Sequence, residues 1–286
     1  MKQDKRIILV TGASRGAGKG IALALAKPGS TIYVTGRTQS EGDAALPGTV
    51  YATVEAIEER GAKAIPLICD HRDDEQVRKA LAVIEAEQGR LDILVNNALL
   101  VPEGLTLPGP FWEKPLALQD ILNVGLRSSY VSSYYAAPLL LKSAKGLVVN
   151  TSSAVGRCYM HGPAYGAGKA GVDKMAHDMA VDFRSHGVAV VSLWMGLLKT
   201  ERSMRVFDAQ PELYAGAVAA AESPEFPGLV IDALYRDAAL MSRSGKVFYA
   251  AELAEEYGLV DIDGKLPPSP RAMLGKPPKF NDAIVE

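Results

Sequence analysis

Short runs of apolar residues, many of them β-branched, recur along the chain and alternate with stretches whose apolar positions repeat at helical spacing. The first run, 6–10, is continuously apolar after Arg6, as a strand buried on both faces of a parallel sheet must be. An apolar segment at 21–26 reads as part of a helix ended by Lys27-Pro28-Gly29, and a second strand follows at 31–34. That unit has the length of a βαβ crossover. The rhythm then repeats. Helices are predicted at 50–60, 73–88, 116–143, 165–185 and 251–257, and strands at 62–69, 91–95, 147–150, 188–194 and 246–249. Such alternation predicts an α/β fold: a doubly wound, seven-stranded parallel sheet in three layers, α/β/α.

Three stretches break the rhythm: an insertion at 38–49, a proline-rich connection at 99–115 and a long segment at 197–227. Each follows the carboxyl end of a predicted strand, where open α/β sheets bind ligands, so they are read as the walls of a site, with 197–227 as the substrate loop. Residues 259–286, dense in proline, read as a C-terminal arm, and the whole of 1–286 as one domain.

Composition narrows the function. Thirty-one Lys and Arg against 33 Asp and Glu give a formal net charge of −2. No basic run is present to support nucleic-acid binding. Cys69 and Cys158 are too few for a disulfide framework, and no His, Cys, Asp or Glu cluster has metal-ligand spacing, so no metal is expected. No apolar stretch is long enough for a membrane span, and the N-terminus lacks a signal-like apolar core; a cytoplasmic protein is the expectation.

Thr11-Gly12-Ala13-Ser14-Arg15-Gly16-Ala17-Gly18 lies between the first strand and its helix. Glycines there permit a tight turn and close approach to a phosphate, which the helix N-terminus attracts; this is the nucleotide loop of a Rossmann-type fold. The second strand ends Thr35-Gly36-Arg37, with no carboxylate at its tip to take a ribose 2′-hydroxyl. Arg37 and Arg15 can instead converge on a 2′-phosphate, which favours NADP(H) over NAD(H). Two solvated surface arginines are the plainer reading.

Tyr165 and Lys169 are four residues apart, adjacent on one helical face. A nearby ammonium favours the phenolate, and a phenol so tuned can pass a proton to a carbonyl oxygen receiving hydride. Ser152 and Ser153, at the end of the fifth strand, offer a hydroxyl for the same oxygen.

Together these residues resemble the short-chain dehydrogenases/reductases from about residue 6 to 250, with Asn96-Asn97-Ala98, Asn123, Gly196 and Thr200 adding to the match. The resemblance implies Asn123, Ser153, Tyr165 and Lys169 as the catalytic tetrad, with Asn123 holding a water that links the lysine to a proton relay. It implies cofactor contacts from Gly12, Ser14, Arg15, Gly16, Gly18, Arg37, Asp70, Asn97, Tyr165, Lys169, Gly196 and Thr200. Asp70 would touch the adenine, and Gly196 and Thr200 the nicotinamide carboxamide. The glycine anchor at Gly156 selects Ser153; the family's commoner spacing to the tyrosine selects Ser152. Phe111-Trp112-Glu113, Ser192-Leu193-Trp194 and Tyr257-Gly258-Leu259 further resemble a branch associated with NADPH-dependent reduction of carbonyls. Leu99 stands where the family has glycine, and Met195 where it has proline. The implied partners are a small hydrophobic carbonyl or its alcohol and further copies of the chain, as dimer or tetramer. A non-catalytic NADP(H) sensor or scaffold and an alcohol dehydrogenase working oxidatively are the alternatives.

Overall fold

The computed structural model describes residues 5–285; residues 1–4, on which the expectation about a signal-like N-terminus partly rests, lie outside them. Seven parallel strands lie in the order β3-β2-β1-β4-β5-β6-β7. They are β1 (Ile7–Val10), β2 (Thr31–Gly36), β3 (Lys63–Ile68), β4 (Ile93–Asn96), β5 (Gly146–Ser152), β6 (Val188–Trp194) and β7 (Val247–Tyr249). Strand order reverses at β1, which pairs with β2 on one side and β4 on the other. The crevice at a fold's switch point therefore opens between the carboxyl ends of β1 and β4.

The period-two alternation of the strands sends side chains into two cores. Ile8, Val10, Ile32, Val34, Ile93 and Val95 pack under α1 (Gly16–Leu25) and α2 (Val50–Glu58), while neighbours Ile7, Leu9, Tyr33 and Leu94 face the opposite layer. That opposite layer is α3 (Asp74–Gln88), α4 (Ser128–Leu140) and α5 (Pro163–Phe183). Asp73 caps α3 by accepting from the main-chain N–H groups of Glu75 and Gln76, and Gly89 closes it in the left-handed region.

Two expectations about elements need correction. The predicted helix at 116–143 is broken: short 3₁₀ turns occupy Phe111–Glu113 and Leu116–Gln119, a π-type turn spans Leu122–Arg127, and only then does α4 begin. The break has a cause in Gly125, at φ 153°, where a side chain is strained and a Cβ would lie 2.7 Å from Leu99 Cδ1. Next, 197–227 contains α6 (Glu201–Ala209) and α7 (Pro211–Ala220) and runs into α8 (Phe226–Arg236), the crossover helix that packs on α1 before β7. Proline and glycine at Pro227 and Gly228 disguise its start, but proline is at home in a first turn. A short α9 (Leu240–Arg243) precedes β7, α10 (Ala250–Glu256) occupies the helix predicted at 251–257, and the C-terminal arm carries α11 (Arg271–Leu274). That arm is ordered against β7: Tyr249 donates to Gly275 O at 2.8 Å, and Leu274 and Phe280 pack on the Trp194–Tyr249 cluster.

Candidate active site

The loop after β1 is tied to β4 through polar main-chain contacts. Thr11 Oγ1 accepts from the N–H of Asn97 (2.9 Å) and of Ala98 (3.0 Å). Asn97 Nδ2 donates to Thr11 O (2.9 Å) and Gly12 O (3.1 Å), so the ends of β1 and β4 form one rigid floor. Above it α1 approaches very closely: a Cβ at Gly18 would lie 2.3 Å from Gly12 O and 2.5 Å from Asn97 Nδ2. Gly12 N–H donates to Thr35 Oγ1 (3.0 Å), which in turn meets His71 Nε2 at 2.7 Å. Burial pushes that imidazole down to about 4, so it is neutral at pH 7. Ser14 is buried beside Gly36. The floor and its glycines suit a dinucleotide phosphate; a side chain at Gly18 would fill the approach.

The tip of β2 is rich in charge of both signs. Burial lowers the Arg15 pKa, the carboxylates of Glu201 and Glu41 oppose that, and the neighbouring Arg202 and Arg37 lower it further. Arg15 is nonetheless engaged: Nε donates to Pro47 O (2.8 Å), and Nη2 to Thr38 Oγ1 (3.1 Å) and Gly48 O (2.6 Å), pinning the insertion at 38–49 over the loop. Arg37 pairs with Asp70 at 3.5 Å and is half-exposed. Burial pushes the Asp70 carboxyl up, but hydrogen bonds from Arg72 and the charge of Arg37 outweigh it and hold the group at about 2.

Across the crevice, β5 ends in the two serines and α5 presents Tyr165 and Lys169. Ser152 lies inside β5, with Oγ toward Lys169 O at 3.4 Å. Ser153 is one residue beyond and half-buried, and its buried hydroxyl lies beside the Tyr165 phenol, pulling its pKa down while burial raises it more strongly. Expecting Lys169 to depress the phenol directly is not met in this conformation. Its Nζ instead donates to Thr151 O at 3.0 Å, and Ser153 alone favours the phenolate. Burial lowers Lys169 to about 8 against the upward pull of Asp173.

Asn123 sits in the π-type turn and donates from Nδ2 to Asp120 Oδ1 at 3.1 Å. Between that turn and α5 is a cavity of about 10 Å³, lined by Leu99, Gly125, Tyr165 and Lys169 among others, room for about one water. Leu99 packs with Ile121, Leu122 and Tyr165, so the bulk flagged at this position lies beside the tyrosine, accommodated by Gly125. Met195 N–H donates to Ser152 O (3.1 Å), Gly196 N–H to Glu222 Oε1 (3.0 Å), and Thr200 caps α6 through Ser203. His161, the one non-glycine residue at positive φ among those described, stacks on Tyr165 with ring centroids 6.0 Å apart. Among the described residues no cluster of His, Cys, Asp or Glu is arranged to hold a metal.

Sequence reasoning missed three carboxylates here. Asp173 accepts from Ser192 Oγ (2.6 Å) and Trp194 Nε1 (2.9 Å). It lies one further helical step from Tyr165 and Lys169, so the same i, i+4 spacing could have found it. Glu201 accepts from Gly16 N–H at 2.9 Å, and Glu222 is buried at the base of the 196–200 segment. Neither has a local pattern that marks it; both depend on contacts distant in sequence.

A switch-point crevice with a glycine-rich floor and a serine, tyrosine and lysine on its far wall defines an oxidoreductase that uses a nicotinamide cofactor. The chain belongs to the short chain dehydrogenase family, which it matches over residues 6–211. It is 40% identical over 272 residues to dehydrogenase/reductase SDR family member 1 of Mus musculus, covering 91% of this chain and 84% of that protein. To the Homo sapiens protein of the same name it is 39% identical over 271 residues, with the same coverage. In fold it superimposes on a short chain dehydrogenase of Mycobacterium thermoresistibile with a TM-score of 0.76, at 24% identity, over 93% of this chain and 92% of that one.

Proposed function

We propose that this oxidoreductase reduces a hydrophobic ketone or aldehyde to its alcohol with NADPH. The observation that carries the reading is the Ser153–Tyr165 pair, with buried Lys169 on the same helix, facing the glycine-rich floor across one crevice. The bound cofactor supplies the hydride. Ser153 holds the substrate oxygen by hydrogen bonding, and Tyr165 donates its proton to that oxygen. Lys169 passes a proton toward the phenol and holds the cofactor ribose, with Asp173 offsetting its buried charge. Asn123 holds the water that replenishes the relay. Gly12, Ser14, Gly16, Gly18 and Asn97 hold the phosphates, Asp70 the adenine, and Gly196 and Thr200 the nicotinamide carboxamide.

NADP(H) is supported by Arg15 and Arg37, and by a second strand that ends Thr35-Gly36-Arg37 without a carboxylate to take a ribose 2′-hydroxyl. A hydrophobic substrate is supported by apolar side chains left exposed after the carboxyl ends of three strands: Leu107, Trp112 and Leu116 after β4, Tyr159 after β5, Leu197 and Leu213 after β6. Exposed, stacked Tyr130 and Tyr134 on α4 support a homodimer or homotetramer. No helix among the described residues is long and apolar enough to cross a membrane, and we place the enzyme in the cytoplasm on its cysteine usage. The test is optical: NADPH oxidation across a panel of hydrophobic ketones and aldehydes, with NADH alongside. Turnover faster with NADPH supports the proposal; preference for NADH, or turnover confined to hydrophilic substrates, counts against it.

A further inference from the structure

The segment from Met195 to Thr200 is gripped by a residue outside every motif. Glu222 precedes α8, and its main chain pairs with the segment on both sides: Glu222 N–H donates to Leu197 O (2.7 Å), and Lys199 N–H to Glu222 O (2.9 Å). Its side chain adds a third contact, Oε1 accepting from Gly196 N–H at 3.0 Å. At 1% exposure the carboxyl is sealed from water, and Oε2 is buried without a hydrogen-bond partner among the described residues. Ser223, the next residue, is fixed in turn by Asp261 of the C-terminal arm, whose Oδ2 accepts from Ser223 N–H at 2.7 Å and Oδ1 from Ser223 Oγ at 2.5 Å. Two consecutive residues, Glu222 and Ser223, thus join the strand-end segment to the start of α8 and to the arm.

A buried carboxylate accepting a single N–H is costly, because one hydrogen bond does not replace its hydration. A buried carboxylic acid is cheap by comparison: it keeps the carbonyl acceptor for Gly196 and carries no charge. Glu222 has the environment of the acid. Burial pushes it up to about 8, the Gly196 N–H pulls the other way without offsetting it, and the Asp261 carboxylate pushes it further up. Lys199, Asp263 and Lys265 also lie on the surrounding segments, and Glu225 is paired with Arg60 at 2.8 Å; Asp261 is the group whose charge bears on Glu222.

We propose that Glu222 is a positioning residue for the nicotinamide end of the cofactor, holding Gly196–Lys199 in place as the neutral acid and releasing that segment when it ionises. The inference rests on Gly196 and Thr200 forming the nicotinamide wall, as set out above. Ionisation would place a second negative charge beside Asp261 in a dry site, and the segment must move to admit water. A merely structural glutamate would show neither a pH response nor an effect confined to one end of the cofactor.

The experiment titrates NADPH by nicotinamide fluorescence at pH 7 and pH 9, in wild type and Glu222→Gln, with adenosine 2′,5′-bisphosphate titrated by calorimetry as a probe of the other end. Glutamine keeps the acceptor for Gly196 and cannot ionise. Lys169 titrates in the same range in both proteins, so the readout is the ratio of their affinities. The expected ratio is near one at pH 7, while at pH 9 the variant binds NADPH about tenfold tighter, since only about a tenth of wild type then retains the acid. The bisphosphate should bind both proteins alike at either pH. Equal NADPH affinities at pH 9, weaker binding by the variant at pH 7, or a parallel change for the bisphosphate would overturn the proposal. Failure of wild type to bind NADPH while NADH binds would instead sink the NADP(H) reading, and the same comparison run with NADH then decides the role of Glu222. Should Glu222→Gln not fold, Asp261→Asn removes the neighbouring charge and should move the wild-type fall in affinity to lower pH; an unmoved or raised midpoint overturns the proposal.

Discussion

Glu201 Oε2 accepts a hydrogen bond from the main-chain N–H of Gly16 at 2.9 Å, placing a carboxylate from α6 on the N-terminal turn of α1. That turn is where the fold offers partial positive charge to a phosphate. Arg205 extends the same contact, donating to Ala45 O of the 38–49 insertion at 2.9 Å. In this conformation α6 is therefore docked across the cofactor entrance, with an anion of its own on the anion site.

Glu201→Gln is accordingly expected to tighten NADPH binding by about twofold to tenfold, the scale of one charge at a helix terminus. A fluorescence titration checks it, with the gain shrinking as salt screens the carboxylate. Weaker binding would make Glu201 a clasp on the bound cofactor rather than a competitor.

Cofactor choice should follow the arginines at the β2 tip. Arg37→Ala should weaken NADPH by about 10- to 100-fold, the scale of one or two charge-assisted hydrogen bonds, and leave NADH nearly unchanged. Arg15→Ala should do the same and also free the insertion it pins through Pro47 O and Gly48 O, which limited proteolysis would detect as new cleavage within 38–49. Equal losses for both cofactors would refute a 2′-phosphate role.

Most of this arrangement was legible in the chain because it rests on local pattern. Short apolar runs marked every strand of the sheet, and the tyrosine–lysine spacing and glycine loop are each local in sequence. What was not legible depends on long-range contacts. The break at Gly125 answers Leu99, twenty-six residues earlier, and α8 was concealed by Pro227 and Gly228, which read as breakers until the helix is seen to start on them. Lys169 turning to Thr151 O, and the carboxyls of Glu201 and Glu222 reaching Gly16 and Gly196, are likewise products of packing.

Lys169 should show a conflict between stability and function. Its ordinary value of 10.5 falls to about 8 in the fold, so the unfolded chain holds this proton more tightly, and below pH 8 the buried ammonium costs stability. Converted directly, the shift corresponds to about 3 kcal/mol at pH 7. Lys169→Met should thus melt higher than wild type at neutral pH, while turnover falls by about 10²- to 10⁴-fold with the loss of proton transfer. A variant that melts lower would show that the ammonium contributes net stability through Thr151 O.

Acid should act through His71. Buried and neutral behind the glycine loop, it titrates at about 4 in the fold against 6.5 for the free side chain. The unfolded chain therefore binds more protons between those values, and stability is full above pH 6.5 and lost as pH falls toward 4, by about 3 kcal/mol. Denaturant melts from pH 7 to 4 should show this fall in wild type and a shallower one in His71→Gln. An identical slope in the two would place the acid sensitivity elsewhere.

The central claim is that Tyr165, beside Ser153 and on the helix of Lys169, delivers the proton that completes carbonyl reduction. The most direct test is Tyr165→Phe, assayed for NADPH-dependent turnover of a hydrophobic ketone that wild type reduces, with NADPH affinity measured on the same preparation. The variant should bind NADPH within about twofold of wild type and lose turnover by about 10²-fold or more, the scale of a missing general acid. Turnover that survives in a variant with intact cofactor binding would contradict the assignment and move the proton donor to another group in the crevice.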